Sequence, residues 1–427
     1  MAASETHRAI EAVFRIESAR LIAGLARVVR DVGIAEELAQ DALVVALERW
    51  PETGVPDNPG AWLMATAKHR AIDRVRHERR VDRKHDEIAR CAEVLGPATG
   101  TDLETAIDED VGDDLLRLVL VACHPVLSPD ARVALTLRLV GGLTTDEIAR
   151  AFLVPEPTLA QRIVRAKRTL AEARVAFEVP RGAELRTRLA SVLEVLYLIF
   201  NEGYAATSGS DWMRPALCED AMRLGRILAE LVPDEPEVHG LLALLELTAS
   251  RAPARLGPTG EPVLLLDQNR ARWDHLLVRR GLAALARCEA LGGARGAYAL
   301  QAAVAACHAR ARRAADTDWP RIASLYDALA EATPSPVVEL NRGVAHAMAF
   351  GPAAGLAIVE PLVSEPSLAR YHLLPSVRAD LLAKLGRIDE ACTECERALT
   401  LAHNEREQEL LRARIAALRA RDEGDPI

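Results

Sequence analysis

Apolar residues recur every three or four positions along most of the chain, which is the spacing of one face of an α-helix. Within residues 7–49 two such stretches follow each other, and the second begins near Ile34. Strand-like alternation is scarce, and aromatic residues make up only 4% of the chain. The pattern therefore predicts an all-α protein, and 427 residues are too many for one hydrophobic core. The apolar positions of the first stretch are Ile10, Val13, Ile16, Leu21, Leu25 and Val28.

Residues 143–170, LTTDEIARAFLVPEPTLAQRIVRAKRTL, predict two short helices joined by a tight turn. Thr144 and Glu147 have the spacing of a capping box, and Pro155 and Pro157 suit a turn or a first helical position. This is the helix-turn-helix layout, whose second helix enters the DNA major groove. A plain helical hairpin with a solvated basic face is the alternative. The second helix has Leu159, Ile163, Ala166 and Leu170 on one face and Gln161, Arg162, Arg165 and Arg168 on the other.

Another helix is predicted between residues 61 and 80, AWLMATAKHRAIDRVRHERR. The preceding residues 51–60, PETGVPDNPG, are rich in turn formers and predict a loop. In the helix, apolar residues can face inward while basic residues project outward. The inward set is Trp62, Leu63, Ala67, Ala71 and Val75, and the outward set is Lys68, Arg70, Arg74 and Arg76.

The charge is distributed unevenly. The whole chain carries a formal charge of -9, but residues 60–85 carry +5 and residues 161–174 carry +4. Residues 86–114, between these two basic islands, carry -9. Two separate basic islands fit two nucleic-acid footprints better than one diffuse cationic surface.

No apolar run reaches the ~18 residues that a membrane span needs. The first twenty residues lack the basic start and apolar core of a secretory signal. The seven cysteines are scattered singly, apart from Cys392 and Cys395, as in a reducing compartment. We therefore expect a cytoplasmic protein with no membrane partner.

Part of the chain resembles region two of the bacterial extracytoplasmic-function sigma factors of the sigma-70 family. The resemblance is carried, in this order, by the segment AEELAQDAL, a tryptophan and the segment PGAWLMATAKHRAIDRVRHERR. The helix-turn-helix at residues 143–170 resembles region four of these sigma factors. The resemblance implies a region two-like domain at 7–85, an acidic linker at 86–112 and a region four-like domain at 113–178. It implies core RNA polymerase and promoter DNA as partners and no enzymatic activity. A free-standing helix-turn-helix regulator with a sensory solenoid, or an interaction scaffold, remains as an alternative.

The resemblance also assigns site residues. Region two of the family binds the clamp helices of the polymerase and opens the minus-ten element, and region four contacts the minus-thirty-five element. Polymerase binding falls on an acidic helix face, Glu36, Glu37, Gln40 and Asp41, whose alternative is a solvated surface. The minus-ten positions are Trp62, His69, Arg70, Asp73, Arg74 and Arg76. The minus-thirty-five positions are Thr158, Gln161, Arg162, Arg165 and Arg168.

Some of these positions have other interpretations or depart from the family. Trp62 also fits a core position, and Asp73 also fits an ion pair with a neighbouring arginine. His69 stands where the family commonly has asparagine. Leu153 replaces a turn glycine, and Pro157 lies near the usual start of the recognition helix. The resemblance therefore does not specify the promoter sequence.

The acidic linker at 86–112 has few apolar residues, so an extended segment is expected. In sigma factors the corresponding segment threads near the RNA exit path of the polymerase, where a negative chain suits a channel built for RNA. A plain solubilising linker is the alternative.

A long helical extension follows residue 180. Residues 180–290 alternate apolar helices with Gly/Pro breaks, and residues 291–420 contain a weak repeat that aligns Gly351 with Gly386. The offset of 34–35 residues between the two copies is typical of tetratricopeptide repeats, so a tetratricopeptide-like solenoid is predicted. The arrangement resembles a sigma-factor subgroup with a fused helical C-terminal domain. We expect the extension to contact the sigma regions and regulate them in cis.

The extension shows no sign of catalysis. Its histidines do not fall in metal-ligand spacings, and no nucleotide-binding glycine loop is present. Cys392 and Cys395 form a single C-x-x-C inside a predicted helix. No cofactor, metal or catalytic residue is therefore expected. Polar and aromatic residues that can tie helices together or form part of an interface are Asn201, Glu202, Tyr204, Trp212, Arg214, Arg270, Trp273, Asp274 and Trp319.

Overall fold

A computed structural model describes residues 2–71, 111–152, 154–205, 213–257, 261–402 and 404–423. The regular elements in these ranges are helices, and Leu256 and Pro262 form an isolated antiparallel bridge. The all-α prediction is therefore confirmed. The chain divides into two compact units, Met1–Leu198 (unit 1) and Ile199–Ile427 (unit 2).

Unit 1 begins with helices α1 (Ala2–Val29), α2 (Val32–Thr53) and α3 (residues 59–71). The Asp31 carboxylate caps α2, accepting from the N–H groups of Gly33 at 2.7 Å and Ile34 at 2.9 Å. The loop predicted at 51–60 is shorter than expected, because α2 continues through Pro51. Pro51 has no N–H to donate to the carbonyl one turn earlier, so α2 lacks one backbone hydrogen bond in its last turn. Gly54, at φ +83°, then ends α2.

The second part of unit 1 contains α4 (Val111–Ala122), α5 (Pro129–Leu139), α6 (Thr145–Ala151) and α7 (Glu156–Glu172). Gly142 adopts φ +71° after α5, a left-handed conformation that suits glycine and turns the chain toward α6. The predicted helix-turn-helix is thus present as α6 and α7. Buried side chains of this part include Leu135, Leu137, Ile148 and Leu159, and α1 packs against both α2 and α4.

Helix α8 (Gly182–Tyr204) contains the boundary between the two units. Its first half packs on α5 within unit 1. Arg132 on α5 donates to Glu194 at 2.9 Å and to the Ser191 hydroxyl. Ser191 in turn donates to the Cys123 carbonyl. The beginning of the extension therefore shares buried polar contacts with the helix-turn-helix part.

Unit 2 continues with helices that contact their neighbours along the chain, as in a solenoid. Gly351 (φ +97°) and Gly386 (φ +79°) end the first helix of two successive hairpins, in the equivalent turns that the repeat predicts. A Cβ added at Gly343 would lie 2.5 Å from Val359 Cγ2, so a small residue is needed at that crossing. The helices are α9 (Pro215–Leu231), α10 (Pro236–Ala249), α11 (His275–Ala290), α12 (Ala297–Arg310), α13 (Trp319–Ala332), α14 (Pro336–Phe350), α15 (Pro352–Val359), α16 (Leu373–Lys384), α17 (Ile388–Leu401) and α18 (Glu405–Glu423).

Several polar residues singled out in the extension tie elements together. Glu202 pairs with Arg214. The Asp274 carboxylate caps α11, accepting from the N–H groups of Leu276 and Leu277 at 2.8 and 3.1 Å. Asn201 is exposed, and Trp212 lies outside the described residues. These contacts favour the structural interpretation for Glu202, Arg214 and Asp274.

None of the helices in the described ranges is both long and apolar enough to span a bilayer.

Cys392 and Cys395, the predicted C-x-x-C, both lie in α17. Cys395 is fully buried in a cluster with Ala379, Leu382 and Leu418. Burial raises the pKa of the Cys395 thiol, so this side chain behaves as a core residue.

Candidate nucleic-acid interface

The N-terminus of α6 has the capping box that the sequence predicts. The Thr144 N–H donates to Glu147 Oε2 at 2.7 Å, and the Glu147 N–H donates to Thr144 Oγ1 at 3.1 Å. Two N–H groups at the start of the helix are thereby satisfied reciprocally. The box fixes the first helix of the helix-turn-helix, against which α7 packs.

Helix α7 presents two different faces, as its sequence pattern predicts. Leu159, Ile163, Ala166 and Leu170 are buried. Pro157 is the second residue of α7, where no backbone N–H is required, so this departure does not interrupt the helix. Leu153 lies outside the described residues. On the opposite face Thr158, Gln161, Arg165 and Arg168 are exposed, and Arg162 is partly exposed.

Two arginines on this face make only weak ion pairs. Arg162 lies 3.4 Å from Asp130, whose side chain is 72% exposed, and Arg168 lies 2.6 Å from Glu172. Exposed pairs of this kind contribute about 0–1 kcal/mol, so a phosphate or a base edge can replace them.

The same face forms part of a concave surface. Thr158, Gln161, Arg162 and Arg165 line a groove of about 360 Å³. Ser128, the N-cap of α5, lies on its other side. The groove brings four predicted minus-thirty-five residues together, whereas Arg168 does not line it. The assignment of these residues to that promoter element stays a prediction.

The predicted minus-ten residues are only partly within the described chain. The Trp62 ring is half-buried and meets the buried Trp50 ring edge to face, with centroids 5.2 Å apart. His69 and Arg70 are exposed about two turns further along α3. Trp62 therefore combines a core contact with partial exposure. Asp73, Arg74 and Arg76 lie outside the described residues.

The residues of the predicted polymerase-binding face of α2 differ in how far they are buried. Glu37 and Asp41 are exposed, and Asp41 pairs with Arg70 on α3 at 2.8 Å. Val44 follows on the same exposed face, with 51% of its surface accessible. Val44 is absent from the predicted set, although its spacing of three from Asp41 places it there.

Glu36, by contrast, is buried with only 4% of its surface exposed. Its carboxylate accepts from Arg138 Nε on α5 at 2.7 Å and from Gln40 Nε2 at 2.9 Å, and it pairs with Lys167 on α7. Arg138 and Lys167 come from distant parts of the chain, so local sequence patterns do not identify this contact. We call Glu36, Arg138 and Lys167 the Glu36 cluster.

A second ion pair joins the same two parts of unit 1. Arg27 on α1 lies 3.3 Å from Asp114 on α4, whose carboxylate is almost fully buried. With the Glu36 cluster, it holds α1 and α2 against α4, α5 and α7. The three-helix N-terminal part and the helix-turn-helix part therefore form one packed unit in this structure.

Family models match this chain in three places. The model for Sigma-70 region 2 matches residues 14–81, and the model for Sigma-70, region 4 matches residues 117–170. A family of unknown function, DUF6596, matches residues 188–289. The first match covers the second half of α1 and all of α2 and α3, and the second covers the second half of α4, α5, α6 and most of α7.

Relatives give the same assignment. An uncharacterized protein of Rhizobium meliloti (strain 1021) is 43% identical over 400 residues, which cover 93% of this chain and 92% of that protein. The ECF RNA polymerase sigma factor SigK of Mycobacterium bovis (strain BCG / Pasteur 1173P2) is 32% identical over 148 residues, 34% of this chain and 74% of SigK. The probable ECF RNA polymerase sigma factor SigI of Mycobacterium tuberculosis (strain ATCC 25618 / H37Rv) is 29% identical over 173 residues, 40% of this chain and 58% of SigI. This chain belongs to the extracytoplasmic-function sigma factors of the sigma-70 family and carries a helical extension beyond region four.

Proposed function

We propose that this sigma factor directs core RNA polymerase to promoters whose minus-thirty-five element is read by α7 and whose minus-ten element is opened by α3. A role in promoter recognition follows from its family. The assignment to particular surfaces rests mainly on α7, whose apolar face is buried while its polar face stays open.

The side chains on α7 suit base reading. Arginine can make two parallel hydrogen bonds to guanine, and glutamine can do the same to adenine. Arg165 and Gln161 are exposed, and Arg162 is held only by a weak pair with Asp130. Arg168 and Thr158 can contact phosphates, which position the helix without reading sequence.

The α3 surface suits an unstacked base of the opened strand. Single-stranded bases are held by stacking on aromatic rings and by positive charge along the backbone. Trp62 offers a partly accessible ring, and His69 and Arg70 lie about two turns further along α3. The exposed pair between Arg70 and Asp41 contributes too little to prevent a phosphate from binding Arg70.

The core polymerase is proposed to bind the exposed face of α2. Glu37, Asp41 and Val44 form an acidic surface with an apolar centre. Glu36 is part of the predicted set, but its carboxylate already binds Arg138 and Lys167. Its use by the polymerase would require the Glu36 cluster to open.

The extension, residues 180–427, is proposed to set the activity of the sigma regions. The contacts of α8 support this, because Arg132 on α5 binds Ser191 and Glu194. A change in the extension that moves α8 would therefore act on the helix-turn-helix part directly.

Run-off transcription with purified core polymerase tests the promoter role. Arg162→Ala and Arg165→Ala should each lower promoter-specific output by about tenfold or more, since a good bidentate contact contributes roughly 1–3 kcal/mol. Arg186→Ala is the matched control, because Arg186 is exposed on α8 and outside α7. Unchanged output from both α7 variants would remove this helix from DNA recognition. Tight promoter binding without polymerase at physiological salt would favour the free-standing regulator.

Truncation tests the regulatory role. The cut should follow Ala205, because a cut before α8 would leave the buried Arg132 without Ser191 and Glu194. Higher promoter output from the folded fragment would mean that the extension masks the sigma regions. Loss of output would mean that it is required. Unchanged output would contradict regulation in cis.

A further inference from the structure

A third basic segment lies in the extension, outside the regions matched to promoter binding. Residues 270–321 contain ten arginines and four acidic residues, a net charge of +6 in a chain of -9. The following residues, 322–427, carry -5. The positive charge of unit 2 is therefore concentrated in α11, α12 and the connections beside them.

The fold brings part of this charge to one place. The Arg270 guanidinium donates to the carbonyls of His308 and Ala311 at 2.6 and 2.8 Å and to the Thr317 hydroxyl at 2.9 Å. These bonds hold the turn at residues 270–272 against the connection between α12 and α13. The exposed arginines on these segments are Arg272, Arg310, Arg312, Arg313 and Arg321, which we call the arginine patch.

The acidic residues of the segment neutralise little of the patch. Asp274 and Asp318 cap α11 and α13 by accepting from backbone N–H groups. Asp316 pairs with Arg313 at 3.0 Å. Arg310 and Arg312 make no ion pair with any residue in the described part of the chain. The patch therefore keeps an excess of positive charge that is open to solvent.

The surface that carries four of the five patch arginines is polar. None of the large hydrophobic side chains between residues 277 and 336, all of them described, is exposed, whereas Leu264, Leu266 and Leu276 are exposed on the segments that flank Arg272. Protein interfaces usually have an apolar centre, whereas nucleic-acid interfaces consist largely of guanidinium and ammonium contacts to phosphates. Guanidinium groups also match the geometry of a phosphate. These features favour a nucleic acid over an acidic protein.

We propose that the arginine patch binds the phosphate backbone of duplex DNA without reading its sequence. The choice of duplex DNA rests on the proposed function, which brings the chain to a promoter. The patch would add phosphate contacts to those of α3 and α7. Its contribution to binding should therefore depend on salt and be the same for every DNA sequence.

Binding of the full chain to a duplex without promoter sequence, measured from about 50 to 200 mM salt, tests this. The double variant Arg310→Gln/Arg312→Gln should bind this duplex on the order of tenfold more weakly at the low-salt end. It should also reduce the slope of log K against log salt by about 2, because each of the two arginines neutralises about one phosphate. Both arginines are exposed, and thermal melting would verify that the variant is folded. Arg310→Glu/Arg312→Glu should weaken binding further.

Arg370→Gln/Arg412→Gln is the matched control, because it removes the same charge from exposed positions in the acidic part of unit 2. If the slope of log K against log salt is the same for the patch variant and for this control, the proposal is overturned. A patch variant that loses binding to polyglutamate but keeps binding to DNA would also overturn it, since that result identifies an acidic protein as the partner. The α7 variants separate the two proposals, because they test promoter reading and leave the patch intact.

Discussion

Glu36 in unit 1 and Arg270 in unit 2 are buried charged side chains whose partners differ in kind. In unit 1 the partly buried Arg138 and Lys167 meet the Glu36 carboxylate, so the charges are paired. In unit 2 Arg270 is 8% exposed and donates to two backbone carbonyls and a hydroxyl. No carboxylate of the described chain forms an ion pair with Arg270.

The ion pairs of the Glu36 cluster can be replaced by contacts with a binding partner, whereas the hydrogen bonds of Arg270 hold the backbone at the end of α12 in place. The Glu36 cluster joins side chains on three helices, and each of its charged groups can be solvated or rebound if the helices separate. The Arg270 contacts end on the backbone carbonyls of His308 and Ala311 and on the Thr317 hydroxyl, at the end of α12 and in the connection to α13. Opening is therefore expected in unit 1 before it occurs around Arg270.

The largest expected effect is that of Arg270→Met. Met keeps much of the apolar stem but removes three hydrogen bonds and leaves the carbonyls of His308 and Ala311 without this donor. A loss of about 3–5 kcal/mol is expected. Hydrogen exchange of the α12 amides reports the local free energy of opening. Arg272→Met, at an exposed arginine two residues on, should change it by only about 0.5 kcal/mol. Equal effects of the two variants would contradict the proposed role of Arg270.

The next effect depends on pH. His308 is buried, and its ring meets the Trp319 ring edge to face at 5.2 Å. Burial, together with the positive charges of Arg251 and Arg270, lowers the pKa of His308 to about 4. The unfolded chain, with a histidine pKa near 6.5, therefore takes up this proton first as the pH falls. The stability that His308 contributes is present above about pH 6.5 and is lost as the pH falls toward 4, by about 3 kcal/mol in total.

Hydrogen exchange of α12 at pH 7 and at pH 4.5 measures this effect. His308→Gln should lose less stability between the two pH values than the natural chain does. Side-chain hydrogen bonds from Arg313 and Arg378 lower the pKa values of Asp316 and Glu360, so these carboxylates also contribute stability that is lost as the pH falls. Both chains share these groups, so the difference between them isolates His308. Identical pH dependence would show that His308 is not responsible.

The sequence predicts the contacts that depend on short spacings. The capping box of Thr144 and Glu147 and the buried face of α7 follow from positions a few residues apart, and the turn glycines Gly351 and Gly386 follow from the repeat. The Glu36 cluster does not, because Glu36 and Arg138 are 102 residues apart and meet only after both parts of unit 1 have folded. The acidic residues of α2 look alike in the sequence for the same reason, although Glu36 is buried and Glu37 is exposed.

A moderate effect is expected from Glu36→Gln. The variant keeps the size of the side chain but removes the charge that Arg138 and Lys167 share. Hydrogen bonds to charged groups contribute about 1.5–3 kcal/mol, so exchange at the start of α2 and the end of α5 should become at least tenfold faster. Glu48→Gln, at an exposed position on the same helix, is the control and should leave exchange nearly unchanged. If both variants behave alike, the Glu36 cluster does not hold the two parts of unit 1 together.

The smallest effect on stability is expected from Asp41→Asn. Asp41 and Arg70 form an exposed pair, with side chains 54% and 44% accessible, so its removal should change stability by less than about 1 kcal/mol. The same change should weaken binding to core polymerase, because Asp41 lies on the exposed face of α2. Glu48→Gln, at an exposed position two turns further along α2, is the matched control for charge. Both stability and affinity for core polymerase should be measured for each variant. Glu36→Gln should alter stability, whereas Asp41→Asn should alter polymerase affinity. An Asp41 variant that loses as much stability as the Glu36 variant would mean that the exposed pair, too, holds the fold. In that case the distinction between a structural and a binding carboxylate on α2 would fail.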